Sequence, residues 1–404
     1  MEATEMARFS DDAAARVLAQ IHEPEVIGFL QRLVQCETVN PPGDVRTGIA
    51  ACEEVLAAAG FATKTVRLVE EKPNLVAEFG PADGPTLCFN AHLDVVPPGD
   101  LTAWAYPPFG GVIDNGRVYG RGAGDDKASV TAQVMAGIAL ARSGVPLRGR
   151  LVVNEVADEE IGGPNGADMV VRGKHVVPDW VIVGEQTLNR VCVGEKGAVA
   201  TRVRTVGKTA HGALPWEGAN ALEAMAEVMV ALRRELPAKL ATRTHPFFHP
   251  SSMSINMIKA GVKENVVPDV CELYIDRRIV PGEDPQACLD EIREIAERAV
   301  RAVPGVTVEV YTDFELREAI ISLPDALHVT AMVEANRYLG LNTDLTGFSM
   351  GTDGRYFADG GYPTIIYGPG DPRVAHIANE WVGIDEVMEA TRAYALAALE
   401  LLGL

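Results

Sequence analysis

Four apolar runs, each closing on polar or acidic residues, constrain this chain more than any other feature: PTLCFNAHLD, RLVVNEVADEE, DWVIVGEQT and YPTIIYGPGDPRVAH. Short continuous apolar runs bounded by turn residues read as strands buried on both faces, and such strands belong to parallel sheets covered by helices. Open α/β sheets gather their ligands beyond the carboxyl ends of the strands. At or just beyond those ends stand His92, Glu160, Glu185 and His376. The Gly-rich turn GRGAGDDK supplies Asp125, and a spare carboxylate, Glu159, lies beside Glu160.

At 404 residues the chain is long for one core, so two domains are expected. PEVIGFLQRLVQCETVN has helical spacing and runs into a Pro41-Pro42-Gly43 turn, and ASVTAQVMAGIALARSG is an apolar helix leading into the next strand. This βαβ rhythm predicts an α/β catalytic domain with a mostly parallel sheet covered by helices. From about Glu195 the texture changes to alternating strands with two helices, near Asn220 to Leu236 and Pro285 to Val303. Their order, strand-helix-strand-strand-helix-strand, predicts an inserted ferredoxin-like α+β domain. The expected division is 1–194 and 315–404 for the catalytic domain and 195–314 for the insertion.

A net charge of -20 argues against nucleic acid, which needs clustered Lys and Arg. Cys36, Cys52, Cys88, Cys192, Cys271 and Cys288 are scattered without a CxxC pair and read as reduced thiols of a cytoplasmic protein. The acidic start, MEATEMARFSDDAAARVLAQ, reads as an amphipathic helix and lacks the basic region and apolar core of a signal peptide. No segment has the run of apolar residues that a membrane span needs.

Singly, the five candidate ligands say little; together they satisfy a demanding chemistry. Zinc takes imidazole nitrogen and carboxylate oxygen, a paired site needs one shared carboxylate, and hydrolysis needs a base that is not a ligand. Two histidines, three acids and one free neighbouring glutamate meet that requirement and point to a two-metal hydrolase.

HLDVVPPGD, YGRGAGDDK, ADEEIGG, GKTAHGALPWEGANAL, NVVPD, DRR and HIANE also occur in the order seen in a known family. From about Pro24 onward the chain resembles the di-zinc metallopeptidases and deacylases, which include acetylornithine deacetylase, succinyl-diaminopimelate desuccinylase, aminoacylase and carboxypeptidase G. The resemblance implies two Zn2+ per subunit, with Co2+ or Mn2+ as substitutes. It implies that Asp125 bridges, that His92 and Glu185 complete one site and that Glu160 and His376 complete the other. By the same resemblance Asp94 orients the His92 ring, Glu159 is the general base, and the Asp125-Asp126 peptide is cis, with the Asp126 side chain a spectator.

His211, in the insertion, would cross a homodimer interface and stabilise the oxyanion in the partner's site. Arg278 would bind a substrate carboxylate in preference to Arg277, whose side chain should face the other way in a strand. Asn265, Gly351, Thr352, Asp353 and Arg355 resemble substrate-pocket positions. One departure is GEQT, where Gln186 replaces the family's usual proline.

The implied reaction is cleavage of the amide of an N-acyl amino acid or a related small carboxylate-bearing amide. Alternatives are a dipeptidase or carboxypeptidase, or hydrolysis of another C-N bond such as that of an aromatic amine or carbamoyl group. A rival of another class is a non-catalytic binding homologue, which would be expected to have lost a ligand or the base; all six residues are present.

Overall fold

The computed structural model describes residues 9–404, so the first eight residues of the expected N-terminal helix lie outside the described residues. The chain divides into two compact units. One comprises the chain up to Gly194 together with Ile321–Phe348 and Thr352–Leu404; the other comprises Glu195–Ile320 with Ser349–Gly351. The second unit runs past residue 314 because Ala198 and Arg317 exchange backbone hydrogen bonds of 3.0 and 3.2 Å, which hold the following residues to its first strand.

In the first unit, Thr86–His92, Arg150–Val156, Trp180–Gly184 and Thr364–Tyr367 form the centre of a nine-stranded sheet. Thr86–His92 pairs in parallel with both Arg150–Val156 and Trp180–Gly184, and Thr364–Tyr367 pairs in parallel with Trp180–Gly184. These strands are buried almost throughout, which is why their sequences read as unbroken apolar runs. Outside them the pairing turns antiparallel, through Asn74–Phe79 and Ala62–Val66 on one side and Cys192–Glu195 on the other. The sheet is therefore parallel where the ligand strands lie and antiparallel toward its edges.

The helix Lys127–Ser143 packs on this sheet and against the helix Ile384–Leu402. It is buried over nearly its whole length. Gly137 lets the helix sit close to the sheet, since a Cβ would meet Phe61 Cζ at 3.1 Å and Leu151 Cδ2 and Val153 Cγ2 at 3.4 Å. Gly144 ends the helix in the left-handed region, at φ 63°, which glycine adopts without steric cost.

The second unit has a four-stranded antiparallel sheet in the order Ser252–Ala260, Val270–Ile279, Gly197–Val206, Thr307–Tyr311. With the helices Ala221–Leu240 and Pro285–Ala299 this is the ferredoxin-like arrangement. Strict alternation of burial along Gly197–Val206 and Val270–Ile279 puts Val199, Val203, Leu273 and Ile275 in a core shared with Met225, Leu232 and Ile292 of the helices. Both helices begin at side-chain caps, Asn220 and Asp284, of a kind worth about 1 kcal/mol each. No helix among the described residues is long and apolar enough to cross a membrane.

Candidate metal centre and active site

His92 ends its strand, Glu185 directly follows Gly184, and Glu159 and Glu160 lie in the short 3-10 turn after Arg150–Val156. His376 belongs to the loop after Thr364–Tyr367, at φ 63°, a left-handed conformation that costs a β-carbon-bearing residue energy and is typical of functional positions. Asp125 precedes the first residue of the buried helix Lys127–Ser143 by two positions, and the Asp125-Asp126 peptide is cis.

These elements bring the five candidate ligands together. One ligand atom from each of His92, Asp125 and Glu185 lies within 4.8 Å of the others, and the same holds for Asp125, Glu160 and His376. Asp125 belongs to both groups and divides its oxygens between them. His92 Nε2 is 3.1 Å from Oδ1 and His376 Nε2 is 3.0 Å from Oδ2. Glu160 approaches His376 Nε2 at 3.2 Å and accepts the Val96 N–H, also at 3.2 Å.

The electrostatics of the cluster follow from crowding acids in a dry place. Burial raises the carboxyl of Glu160 to about 7, with the Asp125 charge adding to it. Glu185 is likewise raised well above the carboxylate range, first by burial and then by Asp125, and Glu159 is raised by burial. His376 is raised to about 10 by its hydrogen bonds to Asp125 and Glu160. Burial alone would lower His92, but Asp125 and Asp94 outweigh it and raise the ring well above its usual value. Burial would raise Asp125, yet the two histidines pull it down. Imidazole nitrogens and carboxylate oxygens that converge in two sets around a shared carboxylate are the donor chemistry of a pair of divalent cations, so the residues present fit two such ions.

Asp94 differs in detail from the expectation. His92 Nδ1 meets its main-chain carbonyl at 2.9 Å, whereas the carboxylate lies at 3.6 Å. That carboxylate instead accepts the backbone N–H groups of Glu159 and Glu160, at 3.1 and 3.3 Å, and so fixes the turn carrying both acids.

Thr352 is buried, with its hydroxyl accepting the Gly354 N–H at 2.9 Å, and the Arg355 guanidinium stands 4.7 Å from the Tyr356 ring centroid. Asp353 is buried, and among the described residues neither of its carboxylate oxygens has a hydrogen-bond partner. Gln186 donates to Glu185 Oε2 at 3.3 Å, so the residue that replaces proline touches a candidate ligand.

The remaining predicted residues belong to the second unit. His211 and Asn265 are exposed neighbours there, because Gly212 donates to the Asn265 carbonyl at 2.7 Å and His211 bridges to Val266. Arg278 is half-buried and paired with Asp276 of its own strand at 2.8 Å. Arg277 points the other way, into the core, where it meets Glu291 at 2.9 Å. Gly351 falls in the short Ser349–Gly351 stretch.

Sequence reasoning missed the polar scaffold behind these residues. Asn40 donates to both Asp94, at 2.8 Å, and Asp158, at 3.0 Å, and Lys72 pairs with Asp158, which occupies the left-handed region at φ 67°. Glu380 accepts two N–H groups of the Asp125 turn and pairs with Arg121. Its only signal was its place at the end of HIANE.

Two groups of candidate ligands that share one carboxylate beyond a parallel sheet are the arrangement of a metal-dependent hydrolase. The profile of Peptidase family M20/M25/M40 matches residues 88–400, and the chain belongs to that family. It is similar to a succinyl-diaminopimelate desuccinylase of Rhodospirillum centenum, 30% identical over 399 residues that cover 92% of this chain and 96% of the relative. It is 26% identical to the N-formyl-4-amino-5-aminomethyl-2-methylpyrimidine deformylase of Bacillus subtilis, with 92% and 93% of the two chains covered. A dinuclear metal-binding M20 peptidase from Bacillus subtilis has a similar fold, with a TM-score of 0.68 at 19% identity over 94% of this chain and 98% of that one. The chain is thus a hydrolytic enzyme of the metal-dependent M20 family.

Proposed function

We propose that this enzyme is a two-zinc amidohydrolase that removes the acyl group from an N-acyl amino acid or a closely related carboxylate-bearing amide. The observation that carries the reading is the division of the Asp125 oxygens between His92 and His376. His92 and Glu185 would complete one site and Glu160 and His376 the other. Bound there, two divalent ions would polarise the scissile carbonyl and acidify water.

Glu159 stands outside both ligand groups. As general base it takes a proton from the attacking water and delivers it to the leaving amine nitrogen. Asp94 holds the backbone of that turn and the His92 ring. Arg278 binds the substrate carboxylate, a role suited to a planar guanidinium, with Asn265, Gly351, Thr352 and Arg355 as further substrate contacts.

The second unit, taken as residues 195–314 with its neighbouring turns, acts as lid and dimerisation domain, and His211 donates to the oxyanion of the partner's substrate. Six free, mostly buried cysteines fit a cytoplasmic setting, and the net charge of -20 fits a partner list without nucleic acid.

A panel of succinyl-, acetyl- and formyl-amino acids and dipeptides, offered to the zinc-loaded enzyme, tests the substrate class. Turnover of acyl amino acids is expected; turnover of dipeptides alone would replace this reading by a dipeptidase. Heterodimers of His211→Ala and Glu159→Gln chains test the shared site. They should regain activity that neither parent has, and verified exchange without recovery would remove His211 from the partner's site.

A further inference from the structure

Glu380 is fully buried at the end of the loop that carries His376. Its Oε1 accepts the N–H of Gly124 at 3.0 Å and that of Asp125 at 3.1 Å, its Oε2 accepts from Arg121, and its main-chain carbonyl accepts the Gly120 N–H at 3.0 Å. Arg121 is itself only 1% exposed. Next to it, Asn379 donates to the Ala103 carbonyl at 3.0 Å and accepts the Ala105 N–H at 2.6 Å. One short segment therefore carries the His376 ring and also grips the turn that carries Asp125.

From this geometry we infer that Glu380 is a positioning residue for the binuclear site, acting by the reach of its carboxylate rather than by its charge. Two consecutive N–H groups converging on one oxygen hold the peptide planes on either side of Gly124, and together with the helix that starts two residues on they set the direction of the Asp125 Cα–Cβ bond. That direction decides whether Oδ1 and Oδ2 face His92 and His376 respectively, and metal ligands tolerate displacements of only a few tenths of an ångström. A negative charge here adds to an already acidic cluster, and Arg121 offsets it. The inference rests on the two-metal reading above.

Two variants separate reach from charge. Glu380→Asp keeps the charge but withdraws the oxygens by one methylene, while the Arg121→Gln/Glu380→Gln double variant removes both charges and leaves an amide oxygen able to accept the two N–H groups. Each apo protein, with folding checked by circular dichroism, is titrated with Zn2+ against a chromogenic chelator, and bound zinc is counted by elemental analysis. Positioning predicts roughly 10- to 100-fold weaker zinc binding for Glu380→Asp, the usual scale for partners of metal ligands, and a change below about threefold for the double variant.

Loss beyond about tenfold in the double variant, or unchanged binding in Glu380→Asp, overturns the inference. A parent protein that takes up fewer than two zinc ions refutes the two-metal reading, and the brace with it. Two ions in the parent with unperturbed binding in Glu380→Asp refutes the brace alone.

Discussion

In the unit built on the parallel sheet, Glu155 and Asp353 are buried with no hydrogen-bond partner among the described residues on either carboxylate oxygen, and burial pushes both carboxyls well above their usual range. In the second unit the fully buried Arg277 meets Glu291 at 2.9 Å and donates to the Cys288 carbonyl at 2.8 Å. A buried charge with its counter-charge in place behaves as structure, and removing one member leaves the other stranded. Buried acids without a hydrogen-bond partner among the described residues, beside a cluster of candidate ligands, are the pattern that accompanies functional sites. The same physical cost is met by a counter-charge in one unit and left standing beside the candidate ligands in the other.

The largest expected effect lies in the first unit. Asp125→Ala should lose both metal ions and all detectable turnover, whereas Glu185→Ala should mainly weaken one ion. Two tightly held zinc ions in the Asp125 variant, counted after dialysis, would sink the bridge.

Glu159→Gln comes next. Turnover should fall by roughly a hundredfold or more with metal content unchanged, as for the loss of a general base. Lost metal would instead exchange the roles of Glu159 and Glu160.

In the second unit the adjacent arginines should separate cleanly. Arg277→Met should cost about 2 kcal/mol in urea unfolding through the lost hydrogen bond to the Cys288 carbonyl and the lost pair with Glu291, an acid that keeps Arg243 at 3.0 Å. Arg278→Met should cost under about 1 kcal/mol, because its pair with Asp276 is part-exposed. Its effect should appear as a KM raised roughly tenfold for substrates with a free carboxylate. Equal losses of stability in the two variants would erase the distinction between anchoring and binding.

A smaller effect concerns pH. His328, buried and 2.9 Å from the Ser322 hydroxyl, is lowered to about 4 by burial. Its folded value lies below the unfolded one, so the unfolded chain binds the extra proton. The contribution is fully present above about pH 6.5 and is lost as the pH falls toward 4, the loss reaching about 2 kcal/mol at pH 5. Stability curves of the parent and His328→Gln should converge as the pH drops, and parallel curves would contradict the assignment.

The architecture was readable because burial on both faces writes an unbroken apolar run and half-burial writes an alternating one. Thr86–His92 and Val270–Ile279 are the two patterns in pure form. Four of the five candidate ligands were readable because they stand at or just beyond the ends of such runs, whereas Asp125 was readable only from its Gly-rich turn.

The supporting polar groups were not readable, since nothing periodic marks Asn40, Lys72 or Arg121, and their partners are distant in the chain. Glu380 reaches across 255 positions to Asp125. Asp94 shows a finer limit. Its spacing from His92 brings the two together but does not say whether carboxylate or carbonyl meets the ring, a choice made by the Glu159 and Glu160 amides that claim the carboxylate.

The helix Lys127–Ser143, enclosed along almost its entire length, bears on the time scale of the site. Amide protons in such a helix exchange with solvent only when the core opens as a whole, so they should be among the slowest in the chain. Asp125 leads directly into this helix, and its backbone inherits that stillness. His376, half-exposed on its loop, lies outside any helix and is held through Asn379 and Glu380 farther along the same segment. Deuterium uptake should therefore run fast around one histidine and slow around the shared carboxylate, with a metal ion able to narrow the gap chiefly by quieting the loop.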